Sequence, residues 1–244
     1  MKKVSFENRS GLKLAGNYWE SKSDKGVILS HGFTGNKEQF GKFTEIAEEL
    51  NSEGFNVLSF DYSGHGESER RSITVGNQLE DLEAAFNFIQ NEDVDEIGIF
   101  GLSFGGLTAL EFCRDHHIQA LLLLNPLTRG IPDYRERKLE EDQLKDLEES
   151  GIYLIEKEHG RFVVPEKTIE LKENLDQEEL LENIDLPVLV IQGREDETIR
   201  FEDSKLASKR LENGDLYVID DDHYFENSVQ EVARKSVEFF SENL

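Results

Sequence analysis

The chain has 244 residues, 37% apolar and 32% charged, the balance of a globular protein with a heavily charged surface. Asp and Glu total 52 against 27 Lys and Arg, so the formal net charge is -25, a field that repels phosphates and disfavours nucleic acid and anionic membranes as partners. The N-terminal segment has two lysines but no apolar run behind them, no stretch approaches the ~18 apolar residues of a bilayer span, and the single Cys113 excludes an intramolecular disulfide; the expectation is a cytoplasmic protein.

Val4–Phe6 and Lys13–Tyr18 flank an Arg-Ser-Gly turn and read as a starting hairpin. Gly26–Ser30 is a short apolar strand that ends at His31-Gly32. A helix is predicted over Lys42–Ser52, with Phe43, Ile46, Ala47 and Leu50 on one face. Strand Phe55–Phe60 follows, then an amphipathic helix over Thr74–Gln90, strand Glu96–Phe100, the turn Gly101–Gly105, a helix to about Asp115, and strand Ala120–Asn125. Cys113 on that helix reads as small core filler.

The alternation then breaks. The segment 126–184, roughly sixty residues, is charge-rich and far longer than an ordinary connection, so it is expected to be a substructure of its own. Within it Arg135–Glu149 reads as one helix, Gly151–Glu158 and Arg161–Val164 as a hairpin about His159-Gly160, and Leu175–Asn183 as a second helix. The rhythm resumes with strand Pro187–Gln192, a helix near Glu202–Leu211, strand Asp215–Ile219 and a closing helix Ser228–Glu242. The expected fold class is α/β: a mostly parallel eight-stranded sheet flanked by helices, built from 1–125 and 185–244, with 126–184 inserted as a small cap.

The strongest chemical signal is Gly101-Leu102-Ser103-Phe104-Gly105-Gly106. Alone, Gly-x-Ser-x-Gly is weak, but here it follows an apolar strand and opens an apolar helix. In that context the glycines permit a sharp crossing that pushes Ser103 up at the carboxyl edge of the sheet, beside the positive end of a helix. A serine hydroxyl becomes a competent nucleophile only when a histidine takes its proton, and the histidine needs a carboxylate to fix its tautomer. Of the six histidines, His116 and His117 lie at the far end of the helix that Ser103 begins, and His159 lies in the predicted hairpin turn. His31 and His65 precede the serine in the chain. Only His223, just past the last strand, satisfies the order serine, acid, histidine in a strand-end loop. The acid is expected after the penultimate strand, where Asp196 stands three residues beyond Gly193 and Glu195 is the alternative. The oxyanion hole is expected from two backbone N–H groups: that of Phe104, directly after the nucleophile, and that of Phe33, in the loop His31-Gly32-Phe33-Thr34-Gly35. His31 is expected to brace that loop, with substrate contact as the alternative, and His65 and Asp61 to pin the Gly-rich loop Asp61–Ser68.

These motifs together — His-Gly-Phe-Thr-Gly, Phe-Asp-Tyr-Ser-Gly-His-Gly-Glu-Ser, Gly-Leu-Ser-Phe-Gly-Gly, Gly-x-x-Asp and Asp-His-x-Phe — resemble α/β-hydrolase serine esterases, and among these the compact esterases grouped with cinnamoyl and feruloyl esterases. The resemblance covers the chain outside 126–184, the place where that family carries its cap. It implies Ser103, Asp196 and His223 as the triad and Phe33 and Phe104 as the oxyanion donors. The run Asp220-Asp221-Asp222 before His223 departs from the family, which often has a small residue there. The expected activity is hydrolysis of small acyl or aryl (cinnamoyl-type) esters through a serine acyl-enzyme. Acyl-peptide, thioester or carbon–carbon hydrolysis on the same machinery stays open, as does a non-catalytic fold that binds small molecules. Tyr134, Tyr153 and Phe162 of the insert and Tyr224 beside His223 are candidate substrate contacts, with Tyr153 and Phe162 equally readable as cap core. No cofactor and no metal site is expected, because His116-His117 lacks companions and no acidic run has the calcium-loop pattern. The expected partner is a small ester substrate, with a homodimer left open.

Overall fold

The computed structural model describes residues 1–244. In chain order the elements are β1 (Lys2–Glu7), β2 (Lys13–Trp19), β3 (Lys25–Ser30), α1 (Lys42–Ser52), β4 (Asn56–Phe60), α2 (Val75–Gln90), β5 (Glu96–Leu102), α3 (Phe104–Cys113) and β6 (Ala120–Leu124). They continue with α4 (Tyr134–Lys138), α5 (Glu141–Ser150), β7 (Ile152–Lys157), β8 (Gly160–Pro165), α6 (Glu166–Asn174), α7 (Gln177–Leu181), β9 (Val188–Gly193), α8 (Phe201–Arg210), β10 (Gly214–Ile219) and α9 (Val229–Asn243). One short 3-10 turn, Gln39–Gly41, leads into α1.

Eight strands form one sheet in the order β1-β2-β4-β3-β5-β6-β9-β10. β1 and β2 pair antiparallel, β2 meets β4 antiparallel, and the six strands from β4 to β10 run parallel. Strand side chains alternate between the two faces. In β6, Ala120, Leu122 and Leu124 enter the core shared with α1 and α9, whereas Leu121 and Leu123 enter the larger core shared with α2, α3 and α8. A parallel sheet is covered on both faces, which is why β3 to β6 read as nearly unbroken apolar runs. Where α9 crosses β5, Gly98 makes room: a Cβ there would lie 2.5 Å from the Phe240 ring. No helix is long and apolar enough to cross a membrane.

The segment between β6 and β9 holds four helices and the separate antiparallel pair β7-β8. Two expectations are corrected here. The single helix over Arg135–Glu149 is two, α4 and α5, because Leu139 and Glu140 adopt extended backbone between them. Gln143 Oε1 accepts the Glu140 N–H at 3.1 Å, half of a capping box that starts α5 afresh. The helix over Leu175–Asn183 is only α7, capped by Asp176, whose carboxylate accepts the N–H groups of Glu178 and Glu179. Ahead of it stands α6, opened by Pro165, where the sequence reading placed no element. The hairpin about His159-Gly160 is present, in register from Ile152–Pro165 to Lys157–Gly160.

Candidate active site

Ser103 occupies the single-residue turn between β5 and α3 with φ 54° and ψ -115°, a left-handed conformation that a residue with a Cβ adopts only when its surroundings compel it. The compulsion is visible. Its N–H donates to Leu124 O at 2.9 Å, and its carbonyl accepts from Gly106, Leu107 and Leu127 at 3.0, 3.2 and 3.1 Å. The flanking glycines are there for close approach. A Cβ on Gly105 would lie 2.4 Å from the carbonyl oxygens of both Ser30 and His31, and one on Gly101 would lie 2.7 Å from Gly106 Cα. The result holds a half-buried serine at the carboxyl edge of the sheet, at the first turn of α3.

Asp196 and His223 meet above the neighbouring strand ends. Asp196 Oδ2 lies 2.6 Å from His223 Nδ1, and the Asp196 carboxylate is fully buried. Its other oxygen, Oδ1, accepts the backbone N–H groups of Thr198 and Ile199 at 2.7 and 2.8 Å. The carboxylate is therefore clamped by its own turn with one oxygen left to face the imidazole. Glu195, the alternative acid, makes no side-chain hydrogen bond; its N–H ties the loop to Asp221 O at 3.0 Å. The imidazole's one hydrogen bond is the Nδ1 contact to Asp196.

The three aspartates before His223 brace the loop. Asp220 pairs with Arg194 at 2.7 Å, Asp222 Oδ1 accepts the Tyr224 N–H at 2.8 Å, and Asp221 Oδ2 accepts the Asn227 N–H at 3.0 Å. Burial works to raise the Asp221 pKa, but hydrogen bonds from Asp222, Ser228 and Asn227 outweigh it and hold the carboxyl below its ordinary range.

The loop after β3 passes directly over Ser103: a Cβ on Gly32 would sit 3.3 Å from Ser103 Cβ. The rings of Phe33 and Phe104 lie 5.6 Å apart at 63°. Phe104 is the first residue of α3, where helix geometry leaves the N–H without an intrahelical acceptor, and the Phe33 N–H enters no loop hydrogen bond. Both N–H groups are thus without a backbone acceptor, one directly after Ser103 and one directly after Gly32. His31 is fully buried beneath them. Its Nδ1 donates to Gly32 O at 2.9 Å and its Nε2 accepts the Tyr62 N–H at 3.2 Å, so both nitrogens are spent on backbone. Burial pushes its pKa down, which keeps it neutral and bracing. Asp61 pins the same loop: it accepts from the N–H and Nζ of Lys37 at 2.7 and 2.8 Å and from the Glu67 N–H at 2.9 Å. His65 is buried beside it, pushed well below its ordinary pKa by burial.

Of the candidate substrate contacts, Tyr153 and Phe162 are buried and form core, the second of their two expected roles. Tyr224 is the exposed aromatic of the set, its ring 5.3 Å from that of His223. Tyr134 is half-buried and accepts a hydrogen bond from Lys172 Nζ at 3.1 Å. His116 stacks on Phe112 at 3.8 Å, and burial raises Cys113 to about 12, which suits a packing thiol. No group of three or more His, Cys, Asp or Glu is arranged to hold a metal ion.

Sequence reasoning passed over three features. Lys172 on α6 is buried without a carboxylate partner, its Nζ 3.1 Å from the centre of the Phe33 ring and 4.6 Å from that of Tyr134. Lys157 Nζ donates to Thr34 Oγ1 and His159 Nε2 donates to Thr34 O, both at 2.8 Å. The third is Asn125, treated below. None carries a sequence signal, because each acts through a partner that is remote in the chain.

Residues 21–147, which include Ser103 but end before Asp196 and His223, match the family model described as serine aminopeptidase, S33. A carboxylesterase of Bacillus subtilis is 25% identical over 210 residues, covering 79% of this chain and 80% of that protein. The quorum-quenching protein AidA of Acinetobacter baumannii is 32% identical over 112 residues, which span 43% of this chain and only 36% of that protein. The solved structure of Est1E from Butyrivibrio proteoclasticus with bound ferulic acid superposes with a TM-score of 0.80 at 25% identity, over 98% of this chain and 99% of that one. With its elbow, its eight-stranded sheet and its family match, this chain belongs to the S33 serine aminopeptidase family of α/β-hydrolases.

Proposed function

We propose that the protein is a carboxylic ester hydrolase that works through a serine acyl-enzyme. Ser103 Oγ attacks the ester carbonyl while His223 Nε2 takes its proton. The negative charge that develops on the carbonyl oxygen falls to the N–H groups of Phe33 and Phe104. His223 returns the proton to the departing alcohol, and water, deprotonated by the same imidazole, then releases the acid. Asp196 holds the Nδ1 tautomer and offsets the imidazolium charge. The observation that carries this reading is the 2.6 Å Asp196–His223 hydrogen bond on the loops next to the strained Ser103 turn.

Residues 1–125 and 185–244 act as the catalytic core and 126–184 as a cap. In support, the segment reaches the loop after β3 at Thr34 and Phe33 from both its hairpin and α6. Small acyl or aryl esters are the substrate class, a reading favoured by the likeness to Est1E, whose structure holds ferulic acid, and to a carboxylesterase. The test has two parts. Ser103→Ala should abolish labelling by a fluorophosphonate and lower kcat by on the order of a million-fold while the fold survives. kcat/KM across p-nitrophenyl acetate, butyrate, octanoate and palmitate, methyl ferulate and an alanyl anilide should peak at a short or aryl ester. A maximum at palmitate overturns the small-ester substrate class, a maximum at the anilide overturns the ester assignment, and near-normal activity of the Ser103 variant overturns the nucleophile.

A further inference from the structure

The ends of β6, β9 and β10 carry respectively the backbone partner of Ser103, the loop of Asp196 and the loop of His223, and one residue at the end of β6 bonds to the other two through its side chain. Asn125, the residue after β6, is fully buried. Its own N–H donates to Ile191 O at 2.9 Å, and the preceding Leu124 O receives the Ser103 N–H at 2.9 Å. Its Oδ1 accepts the Gly193 N–H at 2.8 Å, three residues before Asp196. Its Nδ2 donates to His223 O at 3.1 Å and to Asp222 O at 3.3 Å.

We infer that Asn125 is a positioning residue for the proposed triad, setting the acid and histidine loops against each other and against the nucleophile turn. The inference rests on the proposed triad and adds the device that aligns it. The chemistry of the position selects the amide. Three backbone groups converge there, one N–H and two carbonyls, and only a primary amide offers one acceptor and two donors at that reach. An aspartate would serve Gly193 but face two carbonyl oxygens with a carboxylate, and an apolar side chain would leave all three groups unpaired in the interior. The backbone agrees: Asn125 has φ 43°, a left-handed value that asparagine tolerates better than other residues with a side chain. The neighbouring geometry leaves little slack, since a Cβ on Gly193 would lie 2.6 Å from the carbonyl oxygens of Asp221 and Asp222. The two loops pack backbone on backbone, and the Asn125 amide fixes the remaining freedom, a slide of the His223 loop along β9.

The experiment compares Asn125→Gly, which keeps the left-handed backbone and deletes the amide, with Asn125→Asp, which keeps the shape and removes the donors. Gln177→Leu is the control, because Gln177 is an equally buried amide, bonded to Thr128 Oγ1 and Asp203 O away from the loops of Asp196 and His223. Both Asn125 variants should lose about 10- to 100-fold in kcat on p-nitrophenyl butyrate, the scale of an ångström-sized misplacement, with KM changed less than about threefold. The control should lose melting temperature without losing kcat. The far-downfield proton resonance of the His223–Asp196 hydrogen bond should shift or broaden in the Asn125 variants and persist in the control. That resonance reports alignment whether or not the protein cleaves esters, so its behaviour separates this inference from the proposed reaction. A kcat within twofold of the parent in either folded variant, a loss confined to KM, or an unchanged resonance overturns the assignment.

Discussion

Asp196→Asn exchanges one oxygen for an NH2 group without changing shape, and the structure dictates which way the amide must turn. The Oδ1 position accepts two backbone N–H groups, from Thr198 and Ile199 at 2.7 and 2.8 Å. An NH2 group placed there would face two donors, and although the exposed Thr198 N–H can turn to water, the Ile199 N–H would be left unpaired in the interior at a cost of roughly 1–3 kcal/mol. The amide oxygen must therefore stay at that position, and the NH2 must take the place of Oδ2, 2.6 Å from His223 Nδ1. Nδ1 then has to accept, which moves the imidazole proton to Nε2, the nitrogen that should receive the Ser103 proton. The wrong tautomer costs on the order of 10⁴ in kcat where the same geometry has been examined in a serine protease, about 5.4 kcal/mol of barrier at 1.36 kcal/mol per decade. Glu195→Gln meets no such constraint, since that side chain makes no hydrogen bond, and it should change kcat less than about threefold. The assay is steady-state hydrolysis of p-nitrophenyl butyrate by both variants, with melting temperatures to confirm folding. Equal losses, or an Asp196→Asn variant within tenfold of the parent, would refute the reasoning.

Other outcomes follow from the same coordinates. Gly105→Ala drives a Cβ to 2.4 Å from two carbonyl oxygens that no side-chain rotation can move, so it should cost at least about 1–3 kcal/mol of stability and much of the activity, read by thermal melts and turnover; a parent-like melt contradicts the elbow packing. At a formal charge of -25, self-repulsion disfavours the compact state, so the melting temperature should rise between ~0.1 M and ~1 M NaCl as the Debye length shrinks from ~10 to ~3 Å, and a flat or falling trend rules this out. Burial, with the charge of Lys157 adding to it, holds the folded-state pKa of Lys172 well below its ordinary 10.5. The folded protein therefore binds that proton less tightly than the unfolded chain does. The cost is full below the lowered value, and stability should rise as the pH climbs from there toward 10.5. Lys172→Met should raise the melting temperature at neutral pH and flatten that rise; a lower melting temperature with the slope retained would show that the ring contacts outweigh the buried charge.

The core was legible because its signals are local and periodic. Strands such as Ala120–Leu124 are unbroken apolar runs, α1 shows its buried face at Phe43, Ile46, Ala47 and Leu50, and the eight strands came out within one or two residues of their ends. The candidate triad was legible because its members stand at strand ends in a fixed chain order, with glycines marking the turns. The segment 126–184 was read poorly for the converse reason. Its helices are short and mostly solvated, so the spacing of apolar residues hardly distinguishes one long helix from α4 and α5, and the break rests on the extended backbone at Leu139 and Glu140 and the Gln143 contact. α6 follows directly on Pro165, the last residue of β8, so nothing in the sequence separates the two, and it buries a lysine where a helical pattern would call for an apolar side chain. Asn125 was read as the last residue of a strand; its importance lies in Gly193 and His223, which are 68 and 98 residues away.

The net charge gives the wrong impression of the site's surroundings, and the reason is instructive. A chain with 52 acidic residues has ample means to neutralise any lysine, yet no carboxylate lies within 4.0 Å of Lys157 or Lys172. Both amines reach the loop after β3, one at the Thr34 hydroxyl and the other at the face of Phe33, where it also meets Tyr134 of α4. His159 takes the carbonyl of the same Thr34, which itself stands at a left-handed φ of 57°. Three contacts from two elements of the 126–184 segment thus converge on two adjacent residues, one of which supplies a proposed oxyanion donor. An N–H group is worth most to a developing negative charge when it is already aimed and cannot relax away. The segment proposed as a cap thus also holds the proposed donor's loop, and a substrate that displaces its hairpin or α6 would disturb the Phe33 N–H at the same time. If the proposed reaction holds, the expected outcome is that acyl fit shows in kcat as well as in KM, since remote binding contacts would act on the alignment of the proposed oxyanion donor.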